Sequence, residues 1–154
     1  MIIMVELKKI TDLTQLLSWR KEVIENVFGE TPSDSLMEAN KAYYEKHIPD
    51  ETHIAFIALY NSQEAGSGSI CLSDELPSPD NPSGRCAYLM NIYVRPEFRE
   101  RGLGHAIVRQ LLTEAQNLNC GKIYLETTED GRRVYESLGF REMPDMMKYN
   151  HHEN

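Results

Sequence analysis

At 154 residues the chain is long enough for one domain that buries about two thirds of the surface its unfolded form exposes, and 41% hydrophobic with 26% charged residues is a globular mix. A net charge of -8 disfavours a nucleic-acid-binding surface, which is normally basic, and three cysteines in no C-x-x-C pattern (Cys71, Cys86, Cys120) speak against a disulfide framework or a zinc site. No run of about eighteen apolar residues could span a membrane and the apolar opening 1–5 is too short for a signal peptide, so a cytoplasmic setting is expected.

Residues 5–10 read as a first strand, with Val5 and Leu7 alternating against Glu6 and Lys8. Asp12 can cap the helix that follows, with Gln15 three residues on to answer it. Leu13, Leu16, Leu17, Arg20, Val23, Ile24 and Val27 make a helical stripe broken only at Arg20, and Trp19 beside it reads as a packing residue. Gly29 and Pro32 interrupt this helix. Ser35 with Glu38 forms a second capping box, and a second helix runs to about His47, where a histidine suits the negative end of the dipole; Pro49 ends it. Residues 53–60 are a strongly apolar strand, 61–66 a turn and 67–72 a further strand, which makes a hairpin. The segment 73–84 is rich in proline and acidic residues. With a core strand directly after it, it reads as a surface loop rather than a domain linker.

Next come a buried strand over 87–94, a turn at Arg95 and Pro96, and a loop over 99–104 carrying Gly102 and Gly104. Leu103, Ile107, Val108, Leu111, Leu112, Ala115 and Leu118 then recur at helical spacing, and Gly121 follows the helix end. A strand over 122–127 after that helix implies a right-handed crossover and a parallel pair. Residues 129–131 turn the chain into a short helix over 132–138, Gly139 stops it, and a final hairpin is expected from Phe140 through Met146, Met147, Lys148 and Tyr149. Residues 1–150 read as a single domain and 151–154 as a polar tail.

The glycine loop sits where a strand hands over to a helix. The first amides of a helix have no intrahelical acceptor, and the dipole places roughly half a positive charge there, so an anion such as phosphate is favoured. Gly102 and Gly104 offer no side chain to block approach, and Arg99 and Arg101 add counter-charge; from 91 to 109 there are four arginines and two glutamates in an otherwise acidic chain. By themselves the glycines also fit a plain strand-to-helix turn. No Lys-Ser/Thr follows them, as a P-loop needs, and the third glycine of G-x-G-x-x-G is missing.

The spacing Arg99-x-x-Gly102-x-Gly104 after an apolar strand resembles the acetyl-CoA-binding motif of the GNAT superfamily of acyl-CoA-dependent N-acetyltransferases. The run Val134-Tyr135-Glu136-Ser137-Leu138-Gly139-Phe140 resembles that superfamily's L-Y-x-x-x-G-F signature, with Val134 where leucine is common, and Tyr135 stands 31 residues after Gly104. The resemblance is detailed from 87 to 140 and looser elsewhere.

It implies an α/β (α+β mixed) domain with a mixed sheet of six to seven strands, splayed between strands 4 and 5, and helices on both faces. It further implies that backbone at Ile92, Tyr93 and Val94 holds pantetheine and polarises the thioester, that Arg99, Glu100, Arg101, Gly102, Leu103, Gly104 and His105 hold the pyrophosphate, and that Tyr135 is the general acid. Acetyl-CoA is the implied co-substrate, with no metal, and a primary amine the acceptor, attacked directly in a ternary complex. A catalytically inactive acyl-CoA-binding or regulatory domain on the same fold is the alternative, which Tyr135 disfavours. Glu126, Glu30 and Glu75 are candidates for the base; Asp74, Glu75 and Asp80 could meet a cationic amine, and Tyr88, Asn91 and Tyr93 could line the cleft. No nucleic-acid or membrane partner is implied; a homodimer would suit the resemblance, since family members often pair.

Overall fold

The strand His53–Tyr60 is apolar at nearly every position because both of its faces are covered. In the computed structural model, which describes residues 2–151, the elements follow in the order β1 (Val5–Ile10), α1 (Leu13–Val23), α2 (Asp34–His47), β2 (His53–Tyr60), β3 (Gln63–Asp74), β4 (Arg85–Val94), α3 (Leu103–Asn117), β5 (Lys122–Leu125) and α4 (Arg132–Ser137). The sheet order is β1-β2-β3-β4-β5, antiparallel up to β4 and parallel between β4 and β5. Ile54, Phe56, Ala58, Ile70 and Leu89 face α3, whose Leu103, Ile107, Val108 and Leu111 are fully buried against them. Ala55, Ile57 and Tyr93 face the other way, onto Leu16, Trp19 and Val23 of α1 and Tyr44 of α2. Helices therefore cover both faces.

Several expectations need correction. The sheet has five strands among the described residues, not six to seven, because no hairpin forms after α4. Residues 141–150 take no strand: Pro144 lacks an amide to pair, and Arg132 draws Glu142 to 2.8 Å. Of the expected polar tail 151–154, residues 152–154 lie outside the described residues. The turn placed at 61–66 is only Asn61 and Ser62, and β3 starts at Gln63. Gly66 and Gly68 are packing glycines: a Cβ on Gly68 would stand 2.5 Å from Ile107 Cγ2, and one on Gly66 2.7 Å from Tyr93 O.

Two helix ends also differ. Ser33, not Ser35, caps α2, accepting from the Leu36 amide at 3.1 Å. Asn119 rather than Gly121 takes the left-handed conformation after α3, at φ 59°. Gly121 is small for another reason: it lies against the side chain of Asn81.

Asn81 belongs to the proline-rich loop and is 1% exposed. Its amide donates to Glu75 Oε1 and to Arg85 O, both at 3.2 Å, and Glu75 in turn meets Lys122 Nζ at 3.3 Å. These contacts hold Glu75 below the usual carboxylate range, the Asn81 hydrogen bond first and Lys122 second. The loop is a fastened wall rather than a solvated tether, and Glu75 is committed to it.

Candidate active site

The site is organised by the second half of β4. From Cys86 to Leu89 the strand pairs with both β3 and β5, but β5 ends at Leu125 and beyond Leu89 only β3 continues alongside. There the register slips: Ser69 pairs with Met90 while Ser67 pairs with Tyr93, so β4 carries one extra residue. Asn91 absorbs it in a left-handed conformation, φ 59°. The Ser67 and Ser69 hydroxyls, both buried, donate to the carbonyls of Asn91 and Met90 at 3.3 and 3.4 Å.

Strand alternation divides the three expected backbone-binding residues between the two cores, and the extra residue at the bulge sets which of them face α3. Ile92 and Val94 pack on the α3 side, whereas Tyr93 is buried against α1 and α2.

After β4 a single 3₁₀ turn, Pro96–Phe98, leads into the glycine loop. Glu100 at φ 63° and Gly102 at φ 79° are both left-handed, and Gly102 is the N-cap of α3 with no side chain satisfying the helix terminus. Among the described residues, nothing but the adjoining backbone lies within 4 Å of where a Cβ would stand on Gly102 or Gly104. Leu103 anchors the loop at 1% exposure, and Gly104 and His105 begin the helix half-buried beside it. Arg99 is exposed and its Nε donates to Val94 O at 3.0 Å, while Arg101, also exposed, lies 5.0 Å from the Tyr60 ring centroid. The two arginines therefore flank an uncapped helix terminus with open backbone, a cradle that fits a pyrophosphate.

Tyr135 lies on α4, half-buried, edge-on to Phe140 at 5.9 Å and close against Gly131. Burial pushes its phenol above the ordinary value, so it stays protonated and able to donate at neutral pH. It lines a cavity of about 750 Å³ with Ile123, Leu125, Glu126, Thr127 and Met143, and none of Ile92, Tyr93, Val94 or the 99–105 loop reaches that cavity. Tyr135, Ile92, Val94 and Leu103 do border one continuous core. The expected donor residues thus form a backbone-and-loop group at the end of β4, with Tyr135 beyond β5.

On the opposite face, Tyr88 donates to Glu126 Oε1 at 3.1 Å and stacks near Tyr124. Burial, then the Glu126 contact, pushes Tyr88 up to about 12. Glu126, just past the end of β5, therefore has a partner on β4, and Glu30 is exposed after the helix break. His47 Nδ1 stands 2.6 Å from Thr52 Oγ1, a tie that suits a structural histidine.

Three features escaped the sequence: the left-handed Asn91, the serine donors of β3, and Arg20 of α1, whose Nη1 reaches Asn91 Oδ1 at 2.8 Å. The available signal was Arg20 itself, a charge on an otherwise apolar stripe.

Residues 13–140 match the profile of the acetyltransferase (GNAT) family. The chain belongs to the GNAT family. A structure from Clostridium acetobutylicum, described as a predicted acetyltransferase with acetyl-CoA, superimposes with a TM-score of 0.85 at 27% identity, covering 97% of this chain and 100% of that one. An aminoglycoside N-acetyltransferase in complex with CoA gives 0.74 at 18% identity, covering 98% and 97%, a likeness that bears on the fold alone. Among curated relatives, thialysine N-epsilon-acetyltransferase of Sus scrofa is 28% identical over 49% of this chain and 57% of that protein. The ribosomal protein bS18 alanine N-acetyltransferase of Escherichia coli (strain K12) is 36% identical over 36% and 40%. The matches therefore span about half or less of these curated relatives. Among the described residues no helix is long and apolar enough to cross a membrane.

Proposed function

We propose that residues 1–150 work as one unit that transfers an acetyl group from acetyl-CoA to a primary amine by direct attack in a ternary complex. The observation that carries this reading is the uncapped, glycine-lined start of α3 at the end of a bulged β4 whose outer edge β5 leaves unpaired. Acetyl-CoA supplies the acetyl group as a thioester. In this reading the backbone at Ile92, Tyr93 and Val94 orients the pantetheine, and the amides on the edge away from β3 stabilise negative charge on the thioester oxygen. The sheet splays between β4 and β5 to admit it. The amides of Gly102, Leu103, Gly104 and His105, with Arg99, Glu100 and Arg101 around them, receive the pyrophosphate.

Tyr135 then donates its phenolic proton to the departing sulfur. A phenol near pKa 10, raised further by burial, is protonated when a thiolate of pKa about 8.5 leaves. The incoming ammonium must first lose a proton, and we assign that task to Glu126, which lines the same cavity as Tyr135, directly or through water.

Thermal shift with acetyl-CoA, CoA, ATP and NAD side by side tests the donor site. Saturation at a hundred times Kd adds about 2.7 kcal/mol of stability, so acetyl-CoA and CoA alone are expected to raise Tm. Gly102→Glu, which crowds the cradle with a like charge, abolishes that rise. Equal protection by ATP or NAD, or none by any of the four, would remove the assignment.

A further inference from the structure

Arg20 is the one interruption in the apolar stripe of α1, and its surroundings are unusual for an arginine in so acidic a chain. Among the described residues no carboxylate lies within 4.0 Å of it. The contrast is Arg95, whose guanidinium takes Glu22 bidentately at 2.9 Å on each arm and lies 4.4 Å from the Trp19 ring centroid. Arg20 is held instead by two neutral acceptors: Nε donates to Asn40 Oδ1 at 3.1 Å and Nη1 to Asn91 Oδ1 at 2.8 Å. Since a guanidinium only donates, both amides must turn their oxygens to it. Asn40 is itself set by its Nδ2, which donates to Leu36 O at 2.9 Å. The chain of bonds runs from the first turn of α2, through α1, to the extra residue of the β4 bulge.

That last residue is the sensitive point. Asn91 is a non-glycine residue at φ 59°, a conformation asparagine tolerates but does not strongly prefer. Its carbonyl is fixed from β3 by Ser67 Oγ and its side chain from α1 by Arg20. With both ends held, the peptide planes that follow have one orientation. A bidentate carboxylate would neutralise the guanidinium without fixing this side chain.

We propose that Arg20 is a positioning residue: through Asn91 Oδ1 it locks the left-handed bulge of β4 and thereby aims the open-edge backbone of residues 92–94 at the thioester. The inference rests on the donor site proposed above. Arg20 touches neither substrate nor reacting atoms in this account; its effect passes through one side-chain hydrogen bond.

The test compares Arg20→Gln, Asn91→Gly, their double variant, and Asn91→Asp, which keeps an acceptor for Arg20. Glycine tolerates the left-handed backbone, so Asn91→Gly removes the tether without imposing strain. Hydrogen exchange over residues 88–95 is read in the free protein, and acetyl-CoA affinity by calorimetry. Arg20→Gln and Asn91→Gly are each expected to speed exchange at 92–94 and to weaken acetyl-CoA binding about tenfold, the worth of one hydrogen bond from a charged donor. The double variant should be no worse than either alone, and Asn91→Asp should behave as wild type. Wild-type exchange and affinity in Asn91→Gly would overturn the proposal, as would additive losses in the double variant. Should Arg20→Gln fold poorly, the Asn91→Gly and Asn91→Asp pair decides the matter alone. A wild-type protein that ignores acetyl-CoA would instead overturn the donor site, while the exchange data would still report on the tether.

Discussion

The two halves of β4 differ in how many of their edges are paired. From Cys86 to Leu89 the strand has partners on both edges, and Cys86, Ala87 and Leu89 are buried. Beyond Leu89 it has β3 on one edge only, gains a residue, and is held by side chains of Ser67, Ser69 and Arg20. Both halves send side chains into the core, but only the second leaves one backbone edge without a strand partner. Regular pairing satisfies amides and carbonyls within the sheet, so a strand that is to present them to a ligand must give up that pairing locally and be braced by other means.

The comparison is tested most severely at Tyr135, which we propose serves the open half without belonging to it. Tyr135→Phe keeps the ring against Gly131 and Phe140 and removes only the hydroxyl. We expect kcat to fall by about 10²–10⁴ with acetyl-CoA affinity and Tm unchanged. Wild-type turnover would leave Tyr135 as a packing residue and the proton donor unassigned.

In the paired half the opposite pattern is expected. Leu89 is 2% exposed beneath α3, so Leu89→Ala should cost about 2–5 kcal/mol of folding stability, read as a lower urea midpoint. The specific activity of the molecules that remain folded should hold. A large loss of kcat at full stability would mean that the two halves are not separable.

The smallest expected effect concerns the face toward α2. His53 opposes Cys71 in the strand register, and its Nδ1 stands 2.8 Å from the Tyr43 hydroxyl, which reaches Cys71 Sγ at 3.3 Å. Burial pushes His53 down from 6.5 to about 4, and its Nε2 has no hydrogen-bond partner among the described residues. The depressed value means that the unfolded chain takes up this proton before the folded one does. Stability is therefore fully present above pH 6.5 and falls as pH drops toward 4, by at most about 3 kcal/mol. The difference in urea midpoint between wild type and His53→Gln, followed from pH 7 to 4, isolates this contribution. Parallel pH profiles for the two proteins would sink it.

Regular elements were legible because their residues repeat a pattern. The stripe from Leu103 to Ala115 and the continuous apolar run of β2 each admit one reading, and Arg99, Gly102 and Gly104 stand at a recognisable spacing. What escaped the sequence was set by contacts distant along the chain. Gly66 resembles a turn residue until Ile107 of α3 and the Tyr93 carbonyl are seen pressing on it. The expected last hairpin fails because Arg132 captures Glu142 and Pro144 withholds an amide. The Asn91 bulge has no local signature, since asparagine is unremarkable within a strand sequence. Only the arginine out of place in α1 hinted that something polar lay opposite.

The loop from 75 to 84 looks, in sequence, like a convenient place for new termini or an inserted domain. Asn81 makes it a poor choice. Its buried side chain acts as a peg against Gly121, at the very start of β5, and Glu75 is pinned to Lys122 one residue later. Cutting or stretching this loop would unmoor the edge strand whose early ending leaves the second half of β4 open. A circular permutant opened here would be expected to lose its cleft before it lost its core.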